Sequence, residues 1–288
     1  MTKYIIITPA RDEASHIQHT IEAVSGQTTR PMQWIIVDDG SRDDTPEILD
    51  RAAKLHGWIT VLHRSNRGYR KAGGGVIEAF NSGYELIRNT DWEFLVKLDA
   101  DLSFEPEYFQ KCFQEFQRDP SLGIGGGGIY HKLPDGLLEL EAAPAFHVRG
   151  ATKIYRRECW EGLGGLVVAP GWDTIDEVKA NMLGWHTRTF PFLRLLHYRP
   201  TGSADGAWKD SVKNGLANYV AGYHPVFMAA KCAKRLLSTP YFKGAVGLAV
   251  GFCKGYLRGV PQVADRDLIS YTRSQQIKKL LCQDTIWR

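Results

Sequence analysis

Ile35-Ile36-Val37 runs into Asp38-Asp39-Gly40-Ser41, and Phe94-Leu95-Val96-Lys97-Leu98 runs into Asp99-Ala100-Asp101. Each is a short apolar run closing on paired carboxylates, which reads as a buried strand and the turn after it. In open α/β sheets, ligands sit outside the carboxyl ends of the strands. A carboxylate there can accept from a base N–H or a ribose hydroxyl. It can also supply the oxygen ligands that Mg2+ or Mn2+ takes. Alternate residues of an extended end point opposite ways, so Asp99 and Asp101 can divide these tasks. A cation held there would neutralise charge on a departing diphosphate. For Asp38-Asp39 a capped turn is the competing reading, with Ser41 and Asp44 forming a capping box for the next helix.

Other segments could line the same crevice. Pro9-Ala10-Arg11-Asp12-Glu13 closes the first apolar run, although Asp12 is equally a helix cap. Asn66 to Gly75 carries Arg67, Arg70 and Lys71 with Gly68, Gly73, Gly74 and Gly75. Glycines let backbone approach a phosphate, and the following helix start favours an anion. A Walker A ending is missing, and the same composition suits an exposed loop. Trp172-Asp173-Thr174-Ile175-Asp176 reads as a helix start. A carboxylate there could take a proton from a hydroxyl, or could simply complement the helix dipole.

The elements that must position these residues follow from hydrophobic period. Strands are expected at 4–8, 33–38, 58–63, 93–98 and 122–131, and helices at 12–25, 45–55, 75–87, 106–118 and 173–183. That alternation predicts an α/β fold with a mostly parallel sheet and helices on both faces. Regular alternation stops near residue 132, and from about residue 205 the pattern is helical, broken at Pro225, Pro240 and Pro261. Two units are expected: a nucleotide-binding domain over 1–204 and a basic helical region over 205–288. Residues 207–288 hold 13 Lys/Arg against 4 acids, a net of +9, while residues 1–206 carry −5. An acidic body with a basic tail calls for an anionic surface near the tail.

The five cysteines are scattered without a CxxC pair, which argues for a reducing compartment and against a structural zinc site. Met-Thr-Lys leads straight into a strand, so no signal peptide is expected. No apolar run reaches the ~20 residues of a membrane-spanning helix. Residues 241–258 hold an apolar stretch between Lys243 and Lys254 that suits lying in a membrane interface, although three internal glycines weaken the helix. A dehydrogenase would need Gly-x-Gly-x-x-Gly after the first strand, and a sugar-1-phosphate nucleotidyltransferase a Gly-x-Gly-Thr/Ser-Arg loop; Pro-Ala-Arg-Asp-Glu stands there instead. A non-catalytic scaffold would not need the carboxylates. Nucleic acid is not an expected partner, since no stacking motif accompanies the basic tail.

Taken in order, Tyr4–Glu13, Val37–Ser41, Asn66–Gly75 with Asn81, Leu98–Asp101 and Gly164–Gly184 resemble the motifs of glycosyltransferase family 2, as found in bacterial surface-polysaccharide glycosyltransferases. The resemblance implies a GT-A fold and an inverting, metal-dependent transfer from a nucleotide-diphosphate sugar (UDP-, GDP- or dTDP-linked). It implies donor contacts from Pro9, Ala10, Arg11, Glu13, Arg70, Lys71, Gly73, Asp99, Ala100 and Asp101, with Asp38 or Asp39 on base and ribose. Asp99 and Asp101 would be the Asp-x-Asp pair, Asp101 the more direct ligand, with His197 a further one. The family's base lies eleven residues before a glycine, which from Gly184 is Asp173. Trp172 replaces the usual Glu, so Asp173 and Asp176 both stand as candidates for the base. Arg149, Lys153, Arg156 and Arg157, with Trp172, are expected on the acceptor, a glycan or a polyprenyl-linked sugar. The enzyme is then expected in the cytoplasm, resting on the inner membrane face.

Overall fold

The computed structural model describes residues 2–69, 73–133, 135–199, 206–236 and 241–287. Nine strands form one sheet: β1 (Tyr4–Ala10), β2 (Gln33–Asp38), β3 (Ile59–His63), β4 (Phe94–Leu98), β5 (Leu102–Phe104), β6 (Leu122–Lys132), β7 (Leu138–Leu140), β8 (Thr152–Arg156) and β9 (His186–His197). The helices are α1 (Ile17–Ser25), α2 (Thr45–Leu55), α3 (Gly75–Glu85), α4 (Tyr108–Arg118), α5 (Arg157–Leu163), α6 (Trp172–Met182), α7 (Ala207–Val220), α8 (Pro225–Arg235), α9 (Tyr241–Leu257) and α10 (Arg266–Leu280).

The strand order is β3-β2-β1-β4-β8-β6-β9-β5, with β7 on β6. β1 to β4 are mutually parallel; β8 lies antiparallel between β4 and β6, and β6 is parallel to β9. The carboxyl ends of β1, β2, β4, β6 and β9 therefore share one rim with the start of β8.

Side chains along β1, β2 and β4 alternate between two cores. Tyr4, Ile6, Trp34, Ile36, Val96 and Leu98 pack under α1, α2 and α4, while Ile5, Ile7, Ile35, Val37 and Leu95 pack under α3, α5 and α6. Burial on both faces is why these strands read as unbroken apolar runs. A third cluster joins Ile175 and Val178 of α6 to Tyr219, Met228, Leu248, Phe252 and Leu268. The C-terminal helices thus pack on the helix that carries Asp173.

Several expectations are corrected. The chain from 132 to 200 holds β7, β8 and β9, where no regular alternation was expected. β1 passes through Pro9, which pairs with Val37. The Ser41–Asp44 capping box does not form: Ser41 Oγ accepts from Asp12 N at 3.0 Å, and Asp44 precedes α2 without a side-chain cap. The three glycines of the apolar stretch do not break α9. Gly247, Gly251 and Gly255 fit a close approach to α7, where a Cβ at Gly251 would lie 2.0 Å from Val212 O and one at Gly215 of α7 2.1 Å from Leu248 O.

Candidate active site

At the end of β2 the two aspartates part company. Asp38 turns toward β3: Oδ1 accepts from Ser41 N at 2.9 Å and Oδ2 pairs with His63 Nδ1 at 2.9 Å. The hydrogen bond to Asp38 raises the His63 pKa, more than burial lowers it. Asp38 is therefore occupied in closing a turn. Asp39 lies against β1, donating its N–H to Ala10 O at 2.8 Å. Its carboxylate accepts from Arg64 at 2.7 Å and from Arg67, with Arg11 Nη1 3.7 Å away. Arg67 also donates to Glu78 at 2.8 Å. Three guanidinium groups thus surround Asp39, one of the two carboxylates expected on base and ribose. Arg64 and Arg67 were not singled out as contacts there; their signal was only a cation just after a strand and another in the basic loop.

Between β4 and β9 lies the second acidic group. Asp99 donates its N–H to Ala151 O at 2.8 Å and accepts at Oδ1 from Lys97 Nζ. Asp101 is 3 % exposed, with Oδ2 3.2 Å from His197 Nε2 and 3.1 Å from Arg199 Nε. Burial pushes Asp101 up, but His197 and Arg199 outweigh it and hold the carboxyl below its ordinary value. His197 is raised in return, because Asp101 overcomes the burial that lowers it. Arg199 spans from Asp101 to Glu13 Oε1. Glu13 is pushed up to about 8 by burial, with Arg199 opposing and Asp101 adding, and its Oε2 is buried without a partner. Ala100 is buried and can offer a ligand only its backbone.

Ligand atoms of Asp99, Asp101 and His197 all lie within 4.8 Å of one another. Two carboxylates and an imidazole are a donor set for a divalent cation. The buried His197 Nδ1 has no hydrogen-bond partner among the described residues, so the ring is hydrogen-bonded through Nε2 to Asp101 and packs beside His131, centroids 5.4 Å apart. These residues fit the cation that the Asp-x-Asp pattern implies.

The two acids of α6 also divide. Asp176 is buried, accepting from Lys153 Nζ at 2.8 and 2.9 Å and from Tyr155 Oη at 2.6 Å. Burial raises its pKa to about 6, Lys153 opposing and Glu177 adding. Glu177 is equally enclosed, on Lys153 at 2.8 Å, His147 Nδ1 at 2.7 Å and Val148 N at 2.6 Å. Asp176, expected as an alternative base, is thereby taken up as a buried partner of Lys153. Asp173 is half-buried in the first turn, and its carboxylate makes no hydrogen bond or ion pair among the described residues. Its backbone carbonyl accepts from Lys153, and a Cβ on Gly150 would lie 3.3 Å from the Asp173 Cβ. Gly150 O in turn accepts from Lys97, which also holds Asp99. Asp173 and Asp99 are thus joined through Gly150 and Lys97. Lys97 was not identified by sequence, though a lysine inside an apolar strand was its signal.

The expected acceptor contacts need correction. Lys153 is fully buried, so it holds α6 instead of meeting an acceptor. Trp172 is in the core, its ring 5.4 Å from both the Lys97 and Lys153 ammonium groups. Arg156 and Arg157 lie at the far end of β8, donating to Leu122 O and Trp92 O. Only Arg149 stands toward the rim, donating to Glu141 at 2.8 Å. Gly73 has φ +74 and abuts Pro170, where a Cβ would lie 2.8 Å from its Cα. Arg70 and Lys71 lie outside the described residues.

A mixed sheet whose carboxyl rim carries Asp39 and an Asp-x-Asp pair has the architecture of a GT-A glycosyltransferase. The chain belongs to glycosyl transferase family 2, whose model matches residues 5–164. Among curated proteins it is 26% identical over 133 residues to the chondroitin synthase of Pasteurella multocida strain Pm70, covering 46% of this chain and 13% of that protein. It is 32% identical over 100 residues to the putative glycosyltransferase EpsH of Bacillus subtilis, covering 35% and 26%. The matches thus span a minor part of those relatives. The fold resembles the mannosyltransferase PcManGT of Pyrobaculum calidifontis in complex with GDP-Man and Mn2+ (TM-score 0.57, 16% identity, 98% of this chain and 76% of that one). It also resembles S. aureus TarS 1-349 in complex with UDP-GlcNAc (TM-score 0.55, 14% identity, 96% and 81%). Among the described residues no helix is long and apolar enough to cross a membrane.

Proposed function

We propose that this chain moves a sugar from a nucleotide-diphosphate sugar to a hydroxyl of a glycan or lipid-linked acceptor, with inversion, in polysaccharide synthesis. The observation that carries it is the convergence of Asp39, Asp99, Asp101, His197 and Asp173 on one rim. Family membership, and similarity to a chondroitin synthase and to folds solved with GDP-Man and UDP-GlcNAc, support it. The donor-binding unit is residues 1–204, and the helical region 205–288 faces acceptor or membrane from the cytoplasmic side.

Asp39 accepts from the base or ribose, with Arg11, Arg64 and Arg67 fixing its carboxylate. Asp99, Asp101 and His197 would hold Mg2+ or Mn2+. When bound, that cation offsets charge on the leaving diphosphate. Asp173 takes the proton of the acceptor hydroxyl. The hydroxyl oxygen bonds the anomeric carbon from the face opposite the diphosphate, and the pair of the broken C–O bond leaves with the nucleotide diphosphate. Lys153 and Lys97 hold Asp173 and Asp99 in register for this step.

Nucleotide release from UDP-, GDP- and dTDP-sugars, with Mn2+ or Mg2+ and with EDTA, tests the reading. Release from one donor that EDTA abolishes is expected. No release from any of them, with glycan or polyprenyl acceptors present, refutes it.

A further inference from the structure

One face of α9 has no partner among the described residues. One side of the helix carries Gly247, Gly251 and Gly255 against α7. The opposite side carries Phe242 (71% exposed), Val246 (47%), Val250, Cys253 and Leu257 (85%). Their spacing of four, four, three and four residues puts them in one stripe. From Phe242 to Leu257 that stripe is roughly 22 Å long, at 1.5 Å per residue. Tyr256 is 49% exposed at its end, an amphipathic ring of the kind that favours a membrane boundary. Exposed Lys243 and Lys254 line one edge of the stripe, exposed Arg258 follows its end, and α9 contains no acid. Lys234 and Arg235 are exposed on α8, which packs against α9.

We propose that this stripe is a docking face for an anionic lipid bilayer, the apolar residues entering the headgroup boundary while the flanking cations meet lipid phosphates. An exposed apolar stripe of this size asks for a cover. A helix with an apolar stripe and cations along one edge of it matches a negatively charged interface. A second copy of the chain fits less well, because pairing through the stripe would bring Lys243, Lys254 and Arg258 of both copies together. The net +9 of residues 207–288 supports the lipid occupant. The inference rests on the lipid-linked part of the proposed function only for its setting. Vesicle binding needs no donor or acceptor, so its failure leaves the transfer reaction untouched.

The test is co-sedimentation of the full chain with vesicles of phosphatidylcholine alone and of equimolar phosphatidylcholine and phosphatidylglycerol. Binding to the anionic vesicles alone, weakened by salt, is expected. The double variant F242S/L257S should lower the partition coefficient at least about tenfold. Its melting temperature should stay unchanged, since both side chains are exposed. Absence of binding, or equal binding by the double variant, overturns the proposal. So does self-association in sedimentation velocity that the double variant abolishes, which would assign the stripe to a second copy.

Discussion

Replacing Lys153 by Met removes a fully buried ammonium that bonds Asp176, Glu177 and the carbonyl of Asp173. Both carboxylates are buried with it, so the variant leaves uncompensated charge in the core. Breaking such a pair costs about 3–5 kcal/mol. For a chain of this size, with roughly 2–4 °C per kcal/mol, the melting temperature should fall by about 6–20 °C. The sign of the pH dependence follows from Asp176, raised from 3.8 to about 6. A carboxyl with a raised folded pKa favours the native state below its unfolded value and ceases to do so as pH passes its folded value. Without Lys153 the carboxyl must rise further, so the deficit should be largest at pH 8 and shrink toward pH 5. Chemical denaturation at both values measures this. A loss below about 1 kcal/mol, or one independent of pH, would refute the charge argument. Lys153→Met with Asp176→Leu should recover part of the loss, since an apolar pair can replace a buried ionic one.

Three further outcomes follow from the site and the packing. Asp173→Asn should lower kcat by about 10²–10⁴-fold while donor affinity stays, and unchanged kcat would remove it as base. Asp101→Asn should weaken Mn2+ binding in calorimetry at least about tenfold; unaltered Mn2+ affinity would sink its ligand role. Gly251→Ala should destabilise by about 1–3 kcal/mol or more, because its methyl would meet Val212 O at 2.0 Å; a neutral result in urea denaturation would contradict the α7–α9 contact.

The parallel half of the sheet was legible because β1, β2 and β4 are covered on both faces and so carry continuous Ile, Val and Leu. The Asp-x-Asp was legible because it closes such a run. β8 was not: Thr152-Lys153-Ile154-Tyr155-Arg156 looks like surface, and only Asp176, 23 residues away, and Glu177 make its lysine a core residue. β9 alternates buried with exposed positions and contains Pro191, so it lacks the buried-strand signature. What sets Asp38 apart from Asp39 is His63 of the neighbouring strand, and what sets Asp176 apart from Asp173 is Lys153. Each is a contact between distant segments, which local pattern does not encode. Arg199 escaped notice because its partners, Glu13 and Asp101, come together only when β9 lies beside β5.

Trp172 serves two contacts with one ring. The ammonium of Lys97, which grips Asp99, and that of Lys153, which grips the carbonyl of Asp173, each lie 5.4 Å from its centroid, so a single aromatic plate braces both. A smaller side chain at position 172 would loosen both grips at once.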